Sequence, residues 1–248
     1  MLKKPYDHPV RIIAEIGCNH GGSSDQAIYL GAKAINCGAH YIKYQMFDPY
    51  LLALSRQQPE LEKILNPYTF IDSQWKQILS TIPKRHQLVT VFDSSSAMRA
   101  VMFGVPKLKL SHKEYNKNLP LTELCQYLSV LNLVGSVSSE SQIPQPSAYL
   151  RQPGIHDDEL MFTISKYPTS LPVAMKVIEY CAPLGIGYSD HTGNTLEAAK
   201  YAIDGGCKLI EIHVHDDGCA GCCDHAVSKS MTQLKELCDY AISFRGKP

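Results

Sequence analysis

GIGYSDHTGN (Gly185–Asn194), LIEIHVHDDG (Leu209–Gly218) and DHAVS (Asp224–Ser228) follow one another in the C-terminal part of the chain, and their pattern decides the fold. Two short apolar runs each carry an ionisable cluster, Ser189-Asp190-His191 and Glu211-Ile212-His213, with a helical stretch between them. Alternate side chains of a strand share a face. Ser189 and His191 therefore point one way on their strand, and Glu211 and His213 share a face on theirs. Neighbouring parallel strands would aim two imidazoles and a carboxylate into one space, a half-site for a divalent metal with open positions. A lone strand histidine is usually a core or rim residue. Two of them on adjacent strand ends, each preceded closely by an acid, favour the ligand reading.

Working outward, the same strand–helix alternation fills the chain. Strands are expected at Arg11–Gly17, Tyr41–Met46, Leu88–Asp93, Lys107–Ser111, Val130–Gly135, Leu160–Lys166, Ile186–Asp190 and Leu209–Val214. Helices are expected at Gln26–Asn36 (capped from Ser23, Ser24 or Asp25), Ser73–Ile82, Ala97–Phe103, Pro120–Tyr127, Pro172–Cys181, Thr195–Asp204 and Thr232–Phe244. A polar stretch from Asp48 to Asp72, with prolines at 49, 59 and 67, reads as a long loop that could serve as a lid. The Pro-, Ser- and Gln-rich stretch from Ser136 to Glu159 is the weakest unit. Eight parallel strands alternating with helices in 248 residues are the signature of one (β/α)8 TIM barrel spanning 1–248. A doubly wound sheet is the runner-up, against which the first βα turn, Gly17-Cys18-Asn19-His20-Gly21-Gly22, lacks a GxGxxG fingerprint.

Formal net charge is +0 and the pI about 7.1, so nothing in the charge balance favours nucleic acid or an acidic membrane surface. No apolar run approaches the roughly 20 residues of a membrane helix. The nine cysteines are odd in number, and Met1-Leu-Lys-Lys opens no cleavable signal pattern, so a reducing, cytoplasmic setting is expected. Cys219 and Cys222 have CxxC spacing with His225 close behind, which admits a structural zinc site. No second CxxC pair accompanies them, so plain loop cysteines are the preferred reading for Cys219, Cys222 and Cys223.

Barrel active sites collect at the C-terminal ends of strands. Polar groups there are Glu15, Asn19, His20, Lys43, Gln45, Asp93, Lys109, Ser111, Ser165, Tyr167, Ser189, Asp190, His191, Glu211 and His213. Lys43 and Lys109 lie within otherwise apolar strands, where a charge is costly unless it meets a partner or lines a site. Two cations beside Ser111, Ser165 and Ser189 suit a phosphate or a phosphorylated carboxylic acid. A one-residue shift in strand register would instead turn the lysines outward. Glu15 is the candidate acid/base, or else a salt-bridge partner for one of the lysines.

These motifs resemble the N-acetylneuraminate (sialic acid) synthase family. The resembling segments are AEIGCNHGG (Ala14–Gly22), GAHYIKYQ (Gly38–Gln45), KLKLSHKEYNKNLPL (Lys107–Leu121), SKYPT (Ser165–Thr169), GYSDHTGN (Gly187–Asn194), IEIHV (Ile210–Val214) and DHAVS (Asp224–Ser228). The resemblance implies a barrel that condenses phosphoenolpyruvate with a sugar aldehyde such as N-acetylmannosamine, giving a 2-keto-3-deoxy acid and phosphate. His191 and His213 would hold a Mn2+- or Mg2+-like ion. Lys43, Lys109, Ser111, Ser165, Tyr167, Ser189 and Asp190 would bind substrate. Glu15 would act near C2 of the enol, and Glu211 and Asp224 would orient the sugar or metal-bound water. The expected catalytic residues are thus Glu15, His191 and Glu211.

Several features depart from the family pattern. Family members usually continue into an antifreeze-like domain that caps a dimer partner's site, whereas this sequence stops at Pro248, so a homodimer or a separate capping chain is expected. Ser165 stands where an asparagine is common, Gly135-Ser136-Val137-Ser138 replaces a Ser-Thr-Gly run, and Cys222-Cys223 replaces a Gly-Pro pair. The competing readings are a non-catalytic barrel that binds a phosphorylated metabolite or a protein partner, and an aldolase forming a Schiff base through Lys43 or Lys109.

Overall fold

The computed structural model describes residues 10–110, 133–138 (backbone only), 160–219 and 221–244. Ser111, the expected helix Pro120–Tyr127 and most of the Ser136–Glu159 stretch lie outside the described residues. The strands are β1 (Arg11–Glu15), β2 (Tyr41–Met46), β3 (Gln87–Val91), β4 (Leu108–Leu110), β5 (Leu133–Ser138), β6 (Leu160–Thr163), β7 (Gly187–Asp190) and β8 (Leu209–His215). Each pairs in parallel with the next, and β8 pairs in parallel with β1, closing the ring. The fold is the expected barrel. A short β9 (Lys229–Ser230), not anticipated from the sequence, runs parallel to the end of β8 through Val214↔Lys229. β5 is displaced toward higher numbers than expected, because its register sets Gly135 between Leu110 and Leu160.

Helix α1 (Ser24–Asn36) starts where Ser23 accepts the Gln26 N–H at 3.2 Å. It buries Ala27, Leu30, Gly31 and Ala34, an i, i+3, i+4, i+7 stripe laid on the outer face of the sheet. The 48–72 stretch is helical rather than a loop. Asp48 caps α2 (Pro49–Arg56) by accepting the Leu51 N–H at 3.1 Å, and α3 (Glu60–Leu65) follows directly after Pro59. Its prolines sit at helix starts, where the missing N–H costs nothing. α4 (Asp72–Thr81) packs Trp75 edge-on against Tyr44 and Phe70.

Asp93 was expected among the site groups. Instead it caps α5 (Ser94–Met102), accepting the Ser96 N–H at 2.7 Å, and also receives the Asp48 N–H at 3.0 Å. The remaining described helices are α6 (Leu171–Cys181), α7 (Glu197–Gly205) and α8 (Met231–Phe244). Among the described residues, no helix is long and apolar enough to cross a membrane.

The barrel interior is layered. Ile13, Leu88, Met161 and Leu209 form a small apolar plug separate from the outer core. Glu15, two residues past Ile13 on β1, and His213, four past Leu209 on β8, are register partners, and Glu15 also pairs with Lys43 on β2. Apolar packing therefore gives way to a polar layer toward the C-terminal ends of the strands.

Candidate active site

Lys43, Gln45, Thr90, Lys109, Thr163, Ser165, Tyr167, Ser189, His191, Glu211 and His213 line a cavity of about 430 Å3 at that end. Lys43 and Lys109 point inward. Glu211 binds them both. Its Oε1 and Oε2 each lie 2.8 Å from Lys109 Nζ, and Oε1 is also 2.8 Å from Lys43 Nζ and accepts Ser189 Oγ at 2.9 Å. Lys43 Nζ is 3.0 Å from Glu15 Oε2, while Gln45 donates to Glu15 Oε1 at 2.7 Å.

Two ammoniums and two carboxylates thus form a buried, charge-balanced cluster. Burial pulls Lys43 down to about 7, against the attraction of Glu211. Burial pushes the Glu211 carboxyl up, but the ammoniums of Lys109 and Lys43 outweigh it and hold Glu211 well below the usual carboxylate range. Glu211 is therefore the counter-ion that sets the lysines, with both oxygens engaged, and Glu15 is a salt-bridge partner of Lys43.

His191 donates from Nδ1 to the Ile164 carbonyl at 2.6 Å, which leaves Nε2 as the lone-pair nitrogen. That nitrogen is 2.9 Å from Tyr167 Oη and 3.3 Å from Ser189 Oγ. Burial, with the neighbouring His213, lowers His191 to about 3, so its ring is neutral at ordinary pH. The two imidazole centroids are 5.4 Å apart. His213 Nδ1 is buried and lies 3.3 Å from Asp224 Oδ2 without the alignment of a hydrogen bond. A pair of imidazoles, one with an orphaned buried nitrogen beside a carboxylate, fits a divalent cation.

Asp224 is brought there by Asn19, whose Oδ1 accepts the Asp224 N–H and whose Nδ2 donates to the Val214 carbonyl and Ser228, each at 2.9 Å. Gly17 gives it room: φ is +52°, and a Cβ there would meet Asp224 Oδ2 at 2.4 Å. His20 packs on Phe70 with ring centroids 4.5 Å apart, outside the cavity lining.

Asp190, expected among the substrate-binding residues, is not among those lining the cavity. As the residue between Ser189 and His191 it faces the other side of β7, where it is fully buried near Lys229. Sequence reasoning missed Thr90, Phe92 and Thr163, and also Phe47 just past β2 and Leu52, Arg56 and Leu65 from the helices after it. Alternation from Lys43 through Gln45 reaches Phe47, and alternation back from Ser165 reaches Thr163, so those two were legible. Nothing in the sequence marked Arg56.

Residues 31–245 match the NeuB family. The chain belongs to the NeuB family. It is 29% identical over 252 residues to the spore coat polysaccharide biosynthesis protein SpsE of Bacillus subtilis, covering 94% of this chain and 67% of that protein. It is 28% identical to the N-acetylneuraminate-9-phosphate synthase of Mus musculus, covering 93% of this chain and 68% of that one. Its fold matches the N-acetylneuraminic acid synthetase of Leptospira borgpetersenii with a TM-score of 0.78 at 24% identity, covering 97% of this chain and 87% of the other. NeuB membership accounts for the order of the motifs along the chain, and the geometry above shows where they converge.

Proposed function

We propose that the protein is a phosphoenolpyruvate-dependent, metal-dependent synthase that condenses the enol with a sugar aldehyde to give a 2-keto-3-deoxy sugar acid and phosphate. The observation that carries this reading is the convergence of Lys43, Lys109, Ser189, His191, Glu211 and His213 on one cavity. Each ammonium has three N–H donors. Lys109 directs two contacts at Glu211, and Lys43 one each at Glu15 and Glu211, which leaves each capacity for a phosphate oxygen. Ser165 and Ser189 supply hydroxyl donors beside them.

His191 and His213 would hold the cation, which when bound supplies Lewis acidity for the aldehyde oxygen. Attack by C3 of the enol on the aldehyde carbon leaves positive charge at C2. The Glu15 carboxylate, held by Lys43 and Gln45, stabilises that charge. Water adds at C2, and collapse of the adduct expels phosphate toward the lysines. Asp224, opposite His213, would orient the acceptor.

The test is phosphate release from phosphoenolpyruvate with Mn2+ and a panel of N-acetylated hexosamines and their phosphates. Release that depends on the aldehyde, is stopped by chelator and is abolished by His191→Ala supports the reading. Failure of the protein to bind either phosphoenolpyruvate or Mn2+ would sink it.

A second reading has one observation in its favour. Lowering Lys43 to about 7 leaves part of the population as free amine, as a Schiff-base aldolase needs. Against it, carboxylate oxygens face that nitrogen at 2.8 and 3.0 Å. Borohydride trapping with a keto substrate separates the two, since only the imine route leaves a covalent adduct.

A further inference from the structure

Beyond the barrel mouth, the loop after β8 carries a second set of metal-ligating side chains. Among the described residues, His215, Cys222 and His225 bring their donor atoms within 4.8 Å of one another. Cys222 Sγ lies 3.7 Å from His225 Nδ1, and the His215 and His225 ring centroids are 5.0 Å apart. His215 is buried at the end of β8, and its Nδ1 donates to the Asp216 carbonyl at 2.6 Å. That bond fixes the tautomer and leaves Nε2 as a ligand nitrogen, the usual outer-shell arrangement of a metal-bound histidine. Cys219 interacts with Cys222 but stands outside the three donors that converge, so it would complete the set as a fourth ligand from the same loop. Cys223 faces away, toward Cys18.

In sequence, Cys219, Cys222 and His225 alone are too few for a zinc site, which favours plain loop cysteines. The fold adds His215, which β8 delivers from across the loop.

We propose that His215, Cys219, Cys222 and His225 form a tetrahedral structural Zn2+ site. Two imidazoles and two thiols suit a borderline-soft, four-coordinate cation and suit Mg2+ or Mn2+ poorly. The site closes the loop onto the end of β8. Asp224 lies between two of its ligands in sequence, so bound zinc would also fix the carboxylate that faces His213. The proposal stands apart from the condensation reading, because it concerns ligands outside the cavity and holds whatever the barrel binds.

Zinc content of the purified full chain, kept reduced and dialysed against a weak chelator, is the first measurement. Replacement of the metal by Co2+ is the second. One tightly held zinc per chain is expected, together with a thiolate-to-cobalt charge-transfer band. Among the described residues neither His191 nor His213 has a thiol partner of that kind, so the band distinguishes this site from the barrel mouth even if a variant misfolds. His191→Ala and Cys223→Ser should retain the zinc. Cys222→Ser and His225→Ala should weaken it by more than the roughly 10–100-fold that outer-shell changes cost. Absence of the thiolate band in the folded wild-type protein would overturn the proposal. So would full zinc retention by Cys222→Ser, or loss of the zinc in His191→Ala.

Discussion

Lys229 Nζ lies 3.4 Å from Asp190 Oδ2, and both side chains are fully buried. The ammonium also donates to the carbonyls of Thr192 and Gly193 at 2.8 Å and of Val227 at 3.1 Å, so it ties the end of β7 to the loop that carries Asp224. Burial lowers Lys229 from its ordinary value, with Asp190 pulling the other way. Lys229→Met would keep the stem's packing but strand a buried carboxylate and three carbonyls. Removing one member of a buried pair typically costs about 3–5 kcal/mol. A denaturant titration of Lys229→Met should show a loss of that order, and a change below about 1 kcal/mol would mean that the pair is not structural.

The contrast between Asp190 and its neighbours shows how far the sequence could be read. Period-two alternation placed Ser189 and His191 on one face correctly, and it placed Lys43 with Gln45. The same rule sends Asp190 to the opposite face, yet an ionisable residue inside a motif draws the eye to the site whichever way it points. Alternation separates the two faces of a strand but does not say which is inside, and the partner that explains Asp190, Lys229, lies far along the chain. The Asp48–Asp72 stretch was misread for another reason. Proline breaks a helix interior but opens a helix at its first turn, and only the capping bond at Asp48 distinguishes the cases. Arg56 reaches the cavity from that stretch, so it had no strand register to betray it.

Gly17→Ala should do more harm than its size suggests. The left-handed φ of +52° costs a non-glycine residue about 1–2 kcal/mol, and the new methyl would meet Asp224 Oδ2 at 2.4 Å. Gly21→Ala is the matched control, with φ of +58° and no atom within 4 Å of the new methyl. Both variants should bear that backbone cost, and Gly17→Ala should lose at least as much stability, since the carboxylate must also shift. Only Gly17→Ala should weaken Mn2+ binding in calorimetry, because only it moves the carboxylate beside His213. Equal Mn2+ affinity in the two variants would refute an influence of the Asp224 carboxylate on the cation held by His191 and His213.

Phosphate binding should take up a proton above neutral pH. Lys43 is brought down to about 7 by burial, although Glu211 pulls it upward. A phosphoryl anion arriving beside it adds attraction for the charged form and raises that value again. At about pH 8, if phosphoenolpyruvate is the ligand as proposed, the protein should therefore absorb up to about one proton per molecule bound. The apparent binding enthalpy would then vary with the ionisation enthalpy of the buffer. Affinity should also fall as pH rises through the Lys43 value. Identical enthalpies in phosphate-free buffers of very different ionisation enthalpy would show that Lys43 keeps its proton throughout.

His20 should make the protein acid-sensitive without touching the chemistry. Burial lowers its imidazole to about 4 from an ordinary 6.5, and Nδ1 accepts the Gly22 N–H at 3.0 Å in the neutral form. A folded-state value below the unfolded one means that the unfolded chain binds the extra proton between these limits. Stability is therefore complete above about pH 6.5 and is lost as pH falls toward 4, at about 1.4 kcal/mol per pH unit, for a total of about 3 kcal/mol. His20→Phe would keep an aromatic ring against Phe70 and remove the titration. The variant starts lower at pH 7 because the Gly22 bond is gone, but its stability should fall less steeply between pH 6 and 5. The comparison belongs on metal-free protein, where cation release adds no slope of its own. Parallel curves for wild type and His20→Phe across that interval would assign the acid sensitivity elsewhere.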